Sequence, residues 1–73
     1  MPWNEDNPEA FFREHAPKLV DKLSMKAMRA GVAAANAVLK SGKKPSTFKG
    51  SLDGYAIASG IAQAKRVQAR IKK

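Results

Sequence analysis

The chain has no cysteine and only one histidine among its 73 residues. The first absence excludes disulfides and every thiolate metal site, and the second leaves an imidazole ligand without a companion, so no metal or cofactor is expected. Acidic residues are also scarce, six in all with five of them in the first 21 positions, too few and too crowded together for paired-carboxylate chemistry. His15 has no second histidine, cysteine or serine elbow with which to build a triad. A non-enzyme is therefore expected. No apolar run approaches the ~20 residues of a membrane span, so no membrane partner is expected. The start Met1-Pro2-Trp3-Asn4-Glu5-Asp6 is the opposite of a basic signal-peptide opening, and a soluble cytoplasmic protein is expected.

What is present is positive charge and alanine. Fourteen Lys and Arg give a formal charge of +8, and on so short a chain that balance points to an acidic partner, nucleic acid above all. The charge is segregated. Residues 1–21 hold five acids and two bases, whereas residues 22–73 hold one acid and twelve bases. Either the acidic segment folds back onto the basic body or the two ends meet different partners. Thirteen alanines favour helix over strand. At this length there is one domain, residues 1–73, with a small core, since only about 60% of the surface of the unfolded chain can be buried.

The fold expected is all-α: a small helical hairpin with a short additional N-terminal helix. Asn7-Pro8-Glu9 combines a capping residue, a proline at the first helical position and an acid at the positive end of the dipole, which predicts a helix over Pro8 to His15 behind an arm, residues 1–7. Pro17 breaks it. A second helix is entered at Pro17, or at Ser24 if that serine is the cap, and ends near Ser41 before Gly42, a natural left-handed terminator. Residues 42–51, with three lysines and no helical period, form a basic loop. Ser51 or Asp53 caps a third helix over about Leu52 to Ile71, a strand pair around Thr47 to Tyr55 being the alternative.

On a helical wheel for residues 18–40, Lys18, Lys22, Lys26, Arg29, Asn36 and Lys40 fall in an arc of roughly 80°. Leu19, Leu23, Ala27, Ala30, Ala34 and Val38 lie to one side, and Met25, Met28, Val32 and Leu39 to another, so this helix has two neighbours. In the third helix Ile57, Ile61, Ala64 and Ile71 share an arc that Gln68 interrupts. Ala56, Gly60 and Ala64 give small side chains at every fourth position, where two backbones can approach. Trp3, Phe11 and Phe12, with Phe48 or Tyr55, are the bulk available to cover the open side of the pair.

Three groups of residues are candidate contacts. Lys18, Lys22, Lys26, Arg29 and Lys40 can track a phosphate backbone, the alternative being a solvated helix face. Lys65, Arg66 and Arg70, followed by Lys72 and Lys73, put five bases at a helix C-terminus, more than the dipole alone calls for. In the loop, Lys43 and Lys44 precede Phe48, which either stacks on a base or caps the core; the order G-x-x-x-x-G-K-[ST] is absent, so this is no nucleotide-binding P-loop. Finally, Trp3, Glu5, Asp6, Glu9 and Phe12 mix acids and aromatics as a protein-docking peptide does, although Phe11 and Phe12 serve equally well as core.

Two resemblances add to this. Residues 33–66, Ala-Ala-Ala-Asn-Ala-Val-Leu-Lys-Ser-Gly followed after the loop by Gly-Tyr-Ala-Ile-Ala-Ser-Gly-Ile-Ala-Gln-Ala-Lys-Arg, resemble short ChaB-like phage and bacterial proteins. The basic loop 43–51 inserted between the two halves departs from them. In size, charge and lack of a catalytic constellation the chain is similar to small phage-encoded proteins that bind host RNA polymerase, such as an inhibitor and antitermination factor of a Xanthomonas phage. That likeness implies a regulator in the host bacterial cytoplasm, docking on polymerase through Trp3, Glu5, Asp6, Glu9 and Phe12. Lys18, Lys22, Lys26, Arg29, Lys43, Lys44, Lys65, Arg66 and Arg70 would then lie near DNA or RNA.

Overall fold

The prolines and serines of the chain divide it into three helices, and a computed structural model, which describes residues 3–71, shows where each begins and why. Helix α1 spans Pro8–His15, α2 spans Met25–Ser41 and α3 spans Leu52–Ile71, with a single 3-10 turn over Pro17–Leu19 between α1 and α2. There is no strand among the described residues, so the chain is all-α. Lys72 and Lys73 lie outside the described residues.

Helix α1 starts with Pro8 at its first position, but the side chain of Asn7 makes no capping hydrogen bond. Asn7 contributes through its backbone instead: its N–H donates to the Asn4 carbonyl at 3.2 Å and its own carbonyl accepts from Ala10. The helix stops before Pro17, with Ala16 at φ −150° and ψ 62°, outside the α region that a following proline disfavours.

The second helix does not run from Pro17. Ser24 caps it, its hydroxyl accepting from the Ala27 N–H at 3.2 Å, and the backbone N–H of Ser24 donates to Oε1 of Gln68 on α3 at 2.8 Å. Residues 17–23 are turns held by Leu23, which is buried. At the other end Gly42 takes φ +67° and its N–H donates to the Val38 carbonyl, the left-handed stop that glycine adopts without strain. Of the two caps available to α3, the hydroxyl of Ser51 is the one used, accepting from the Gly54 N–H at 3.1 Å.

Helices α2 and α3 form the hairpin, and what lets them approach is the absence of side chains. Ala27, Gly31 and Ala35 on α2, and Ala56, Gly60 and Ala64 on α3, are all buried. A Cβ on Gly31 would stand 2.6 Å from the Gly60 carbonyl oxygen, and one on Gly60 would stand 2.7 Å from the Gly31 oxygen. The crossing is reciprocal, each glycine facing the backbone of the other. The notch it leaves is filled by α1: the Phe12 ring tip would lie 3.0 Å from a Gly31 Cβ and the Phe11 ring tip 3.4 Å from a Gly60 Cβ. Phe11 and Phe12 are 2% and 0% exposed and meet edge to face with centroids 5.0 Å apart. Burying such a ring is worth about 1.5–3 kcal/mol, and α1 supplies both phenylalanines of this core, beside Leu23, Met28 and Val32. Phe48 and Tyr55 pair separately, at 5.3 Å, the Phe48 ring lying over Gly50 of the loop and Gly54 of the first turn of α3.

Candidate nucleic-acid interface

The hairpin has two flanks, and helical periodicity assigns residues to them. Turning α2 about Gly31 places Met28, Val32 and Asn36 round one side and Ala34, Ala30 and Lys26 round the other. The same operation on α3 about Gly60 places Ile57, Ile61 and Gln68 on the first side, and Gln63, Val67, Arg70 and Arg66 on the second. The first flank is covered by α1 and by the N-terminal segment. The second is open, and there Lys26, Ala30, Val67, Arg70 and Ile71 line a cleft of about 470 Å³.

The covered flank carries the acids. Trp3 is fastened to it by the amide of Asn36, which accepts from the Trp3 N–H and donates to the Trp3 carbonyl, both at 2.8 Å. Its indole meets Phe11 edge to face at 4.9 Å and lies 6.0 Å from His15. The acidic segment thus folds back onto the body, but not by ion pairing. Among the described residues the ion pairs lie within α1, Arg13 with Glu9 at 2.9 Å and His15 with Glu14 at 3.9 Å. The closest polar contact of Glu5 with the body is a long one, 3.4 Å, from Nδ2 of Asn36.

The open flank carries bases. Lys26 stands in the first turn of α2 and Arg66 and Arg70 stand one turn apart near the end of α3, all exposed. The Ser24–Gln68 bond shows that these two helix ends are side by side. Helix α2 contains no acid, and Asp53, the one acid of α3, lies in its first turn at the far end. Among the described residues no acid is within 4.0 Å of Lys26, Arg66 or Arg70. In the first turn of α2 a lysine opposes the positive pole of the dipole, so helix stability does not account for Lys26, whereas Arg70 at the end of α3 is favourably placed.

The candidate residues sort as follows. Lys26, Arg66 and Arg70 come together on the open flank. Arg29 is exposed on the back of α2, and Lys65 is exposed on the side of α3 away from the cleft. A single stripe from Lys18 to Lys40 does not form, because the helix begins at Met25: Lys18 lies in the 3-10 turn and Lys22 in the turn after it. Asn36 belongs to the covered flank, where it holds Trp3. Lys43 and Lys44 are exposed at the opposite end of the hairpin, about 25 Å of helix from Lys26, and Nζ of Lys44 donates to the Phe48 carbonyl at 3.1 Å. Phe48 is half-buried and meets Tyr55 edge to face, apart from the buried core.

Among the candidate protein contacts, Glu5 and Asp6 are exposed, Glu9 is half-buried and paired with Arg13, and Trp3 is half-buried and pinned. Phe12 is withdrawn, since at 0% exposure it has no surface to offer a partner. Ala30 and Val67 are not among the candidate residues, and Ile71, on an arc with Ile57, Ile61 and Ala64, is 44% exposed. The signal that marks them is the row Val67–Ile71 beside the row Arg66–Arg70, each one turn long. Among the described residues no group of three His, Asp or Glu side chains is placed to hold a metal, and no helix is long and apolar enough to cross a membrane. No protein-family model, no curated protein and no solved structure matches the chain.

Proposed function

We propose that the protein is a non-catalytic nucleic-acid-binding protein that contacts phosphates through the open flank of its hairpin. The observation that carries this reading is the concentration of bases there, Lys26, Arg66 and Arg70, on a two-helix face with no acid within 4.0 Å of them among the described residues. Cations held by a preformed helix pair meet a polyanion with little ordering of the backbone, and each neutralised phosphate releases counterions. Arg29, Lys18, Lys22 and Lys65, exposed around the same end, extend the positive field. Titration of a labelled oligonucleotide at rising salt is the test. With three phosphate contacts log K falls against log salt with a slope of about −2 on a single strand or about −2.7 on duplex DNA; no binding at low salt contradicts the reading.

A second reading is favoured by the placement of acids and bases on opposite flanks, which leaves both free to act at once. In it the protein is a phage-type transcription regulator in the host bacterial cytoplasm. Glu5, Asp6 and the edge of Trp3 meet host RNA polymerase while the basic flank faces promoter DNA or emerging RNA, so that initiation is inhibited or termination suppressed. A tagged pulldown from bacterial lysate with and without nuclease separates the two. Polymerase subunits retained after nuclease treatment support the regulator, and loss of every partner leaves direct nucleic-acid binding.

A further inference from the structure

The cleft on the open flank has a feature that phosphate binding does not use: its floor is apolar. Ala30, Val67 and Ile71 lie between Lys26 and Arg70, and Ile71, at 44% exposure, is a large side chain that the fold leaves uncovered. We propose that this cleft seats an unstacked base of a single-stranded nucleic acid, with Lys26, Arg66 and Arg70 on the phosphates to either side. The inference rests on the nucleic-acid reading above and narrows it to one class of strand.

Three observations favour the single strand over the duplex. The volume, about 470 Å³, falls in the ~300–1,000 Å³ of clefts that take small ligands, so a base fits within it. An apolar floor between cations is complementary to a ligand that alternates anionic groups with flat apolar ones, and a duplex hides the faces of its bases inside the stack. Arg66 and Arg70, about 6 Å apart along α3, have a separation comparable with that of neighbouring phosphates on one extended strand.

The experiment uses the full chain and fluorescence anisotropy with four probes. These are a uridine oligomer of about 12 nucleotides, within the ~4–16 that single-strand-binding folds cover, an abasic strand with the same number of phosphates, a duplex of the same length, and vesicles containing phosphatidylserine. The expected result is that the uridine oligomer binds about fivefold more tightly than the abasic strand and more tightly than the duplex. Ile71→Ser, a change at the last turn of α3 whose folding is checked by circular dichroism, removes that preference and leaves abasic binding unchanged. Arg70→Gln weakens both strands together. Equal affinity for the uridine and abasic strands, or tighter binding to duplex, overturns the base-seating cleft while leaving nucleic-acid binding intact. Binding to vesicles alone, or to no probe, overturns both.

Discussion

The two flanks of the α2–α3 hairpin differ in what covers them and in the charge they carry. On one side two phenylalanines from α1 fill the notch above the Gly31–Gly60 crossing, Trp3 is clamped by Asn36, and the acids sit outside. On the other side no helix packs among the described residues, the helices meet in a cleft lined by Lys26, Ala30, Val67, Arg70 and Ile71, and Arg66 is exposed one turn from Arg70. If the open flank binds as proposed, the difference teaches that stability and binding are separated in space here. The covered flank holds the buried phenylalanines that close the fold, and the open flank carries exposed cations.

That division breaks if the covered flank is not what stabilises the protein. Phe12→Ala has the largest expected effect, a loss of about 3–5 kcal/mol, enough to abolish a cooperative thermal transition in a domain this small. Circular dichroism melts check it, and a variant that melts cooperatively near the wild-type temperature would show that the α1 flank is dispensable. Next comes Gly31→Ala, in which the new Cβ meets a backbone carbonyl that cannot move aside. Alanine gains about 1 kcal/mol of helix propensity over glycine, yet overpacking of about 1–3 kcal/mol, at its upper end against a backbone atom, outweighs it. A lower melting temperature is expected. The exposed Ala37 sharpens the contrast, since there it is Ala37→Gly that destabilises, by about 1 kcal/mol.

Asn36→Ala removes both hydrogen bonds to the Trp3 backbone at a cost of about 1–2 kcal/mol. The helical signal stays and tryptophan fluorescence shifts to the red as the indole is released; an unshifted spectrum would mean that ring packing alone holds the segment. The smallest effect is on the open flank. Lys26→Gln relieves a cation at a helix N-terminus, so stability is unchanged or rises by a few tenths of a kcal/mol while affinity for an oligonucleotide falls. A variant that loses stability and affinity together would mean that the two functions are not separated at this position.

Much of this was readable one residue at a time. Pro8 and Pro17 bound α1, Gly42 ends α2, and the spacing of Ala56, Gly60 and Ala64 announced the close approach of two helices, because each of these signals is local. The start of α2 was ambiguous for a physical reason: Leu19, Leu23 and Ala27 continue the helical period across Ser24, so an amphipathic pattern persists although residues 17–23 are turns. The basic stripe drawn from Lys18 to Lys40 failed with it. Gln68 looked like a flaw in an apolar arc and Asn36 like part of a solvated face, because their partners, Ser24 and Trp3, are 44 and 33 residues away. The floor of the cleft was hidden for a similar reason, since Ala30 and Val67 become neighbours only when the hairpin closes.

The central claim, that the position of the cations and not their number makes the interface, is tested most directly by two variants of equal charge. One carries Lys26→Gln, Arg66→Gln and Arg70→Gln on the open flank; the other carries Lys43→Gln, Lys44→Gln and Lys49→Gln in the loop. Each loses three positive charges, and both are titrated with the same labelled single strand across a salt series. The account predicts that the open-flank variant loses most of its affinity and about 2 units of the slope of log K against log salt, while the loop variant keeps nearly all of both. Equal losses in the two variants would contradict it, leaving only a diffuse attraction set by net charge.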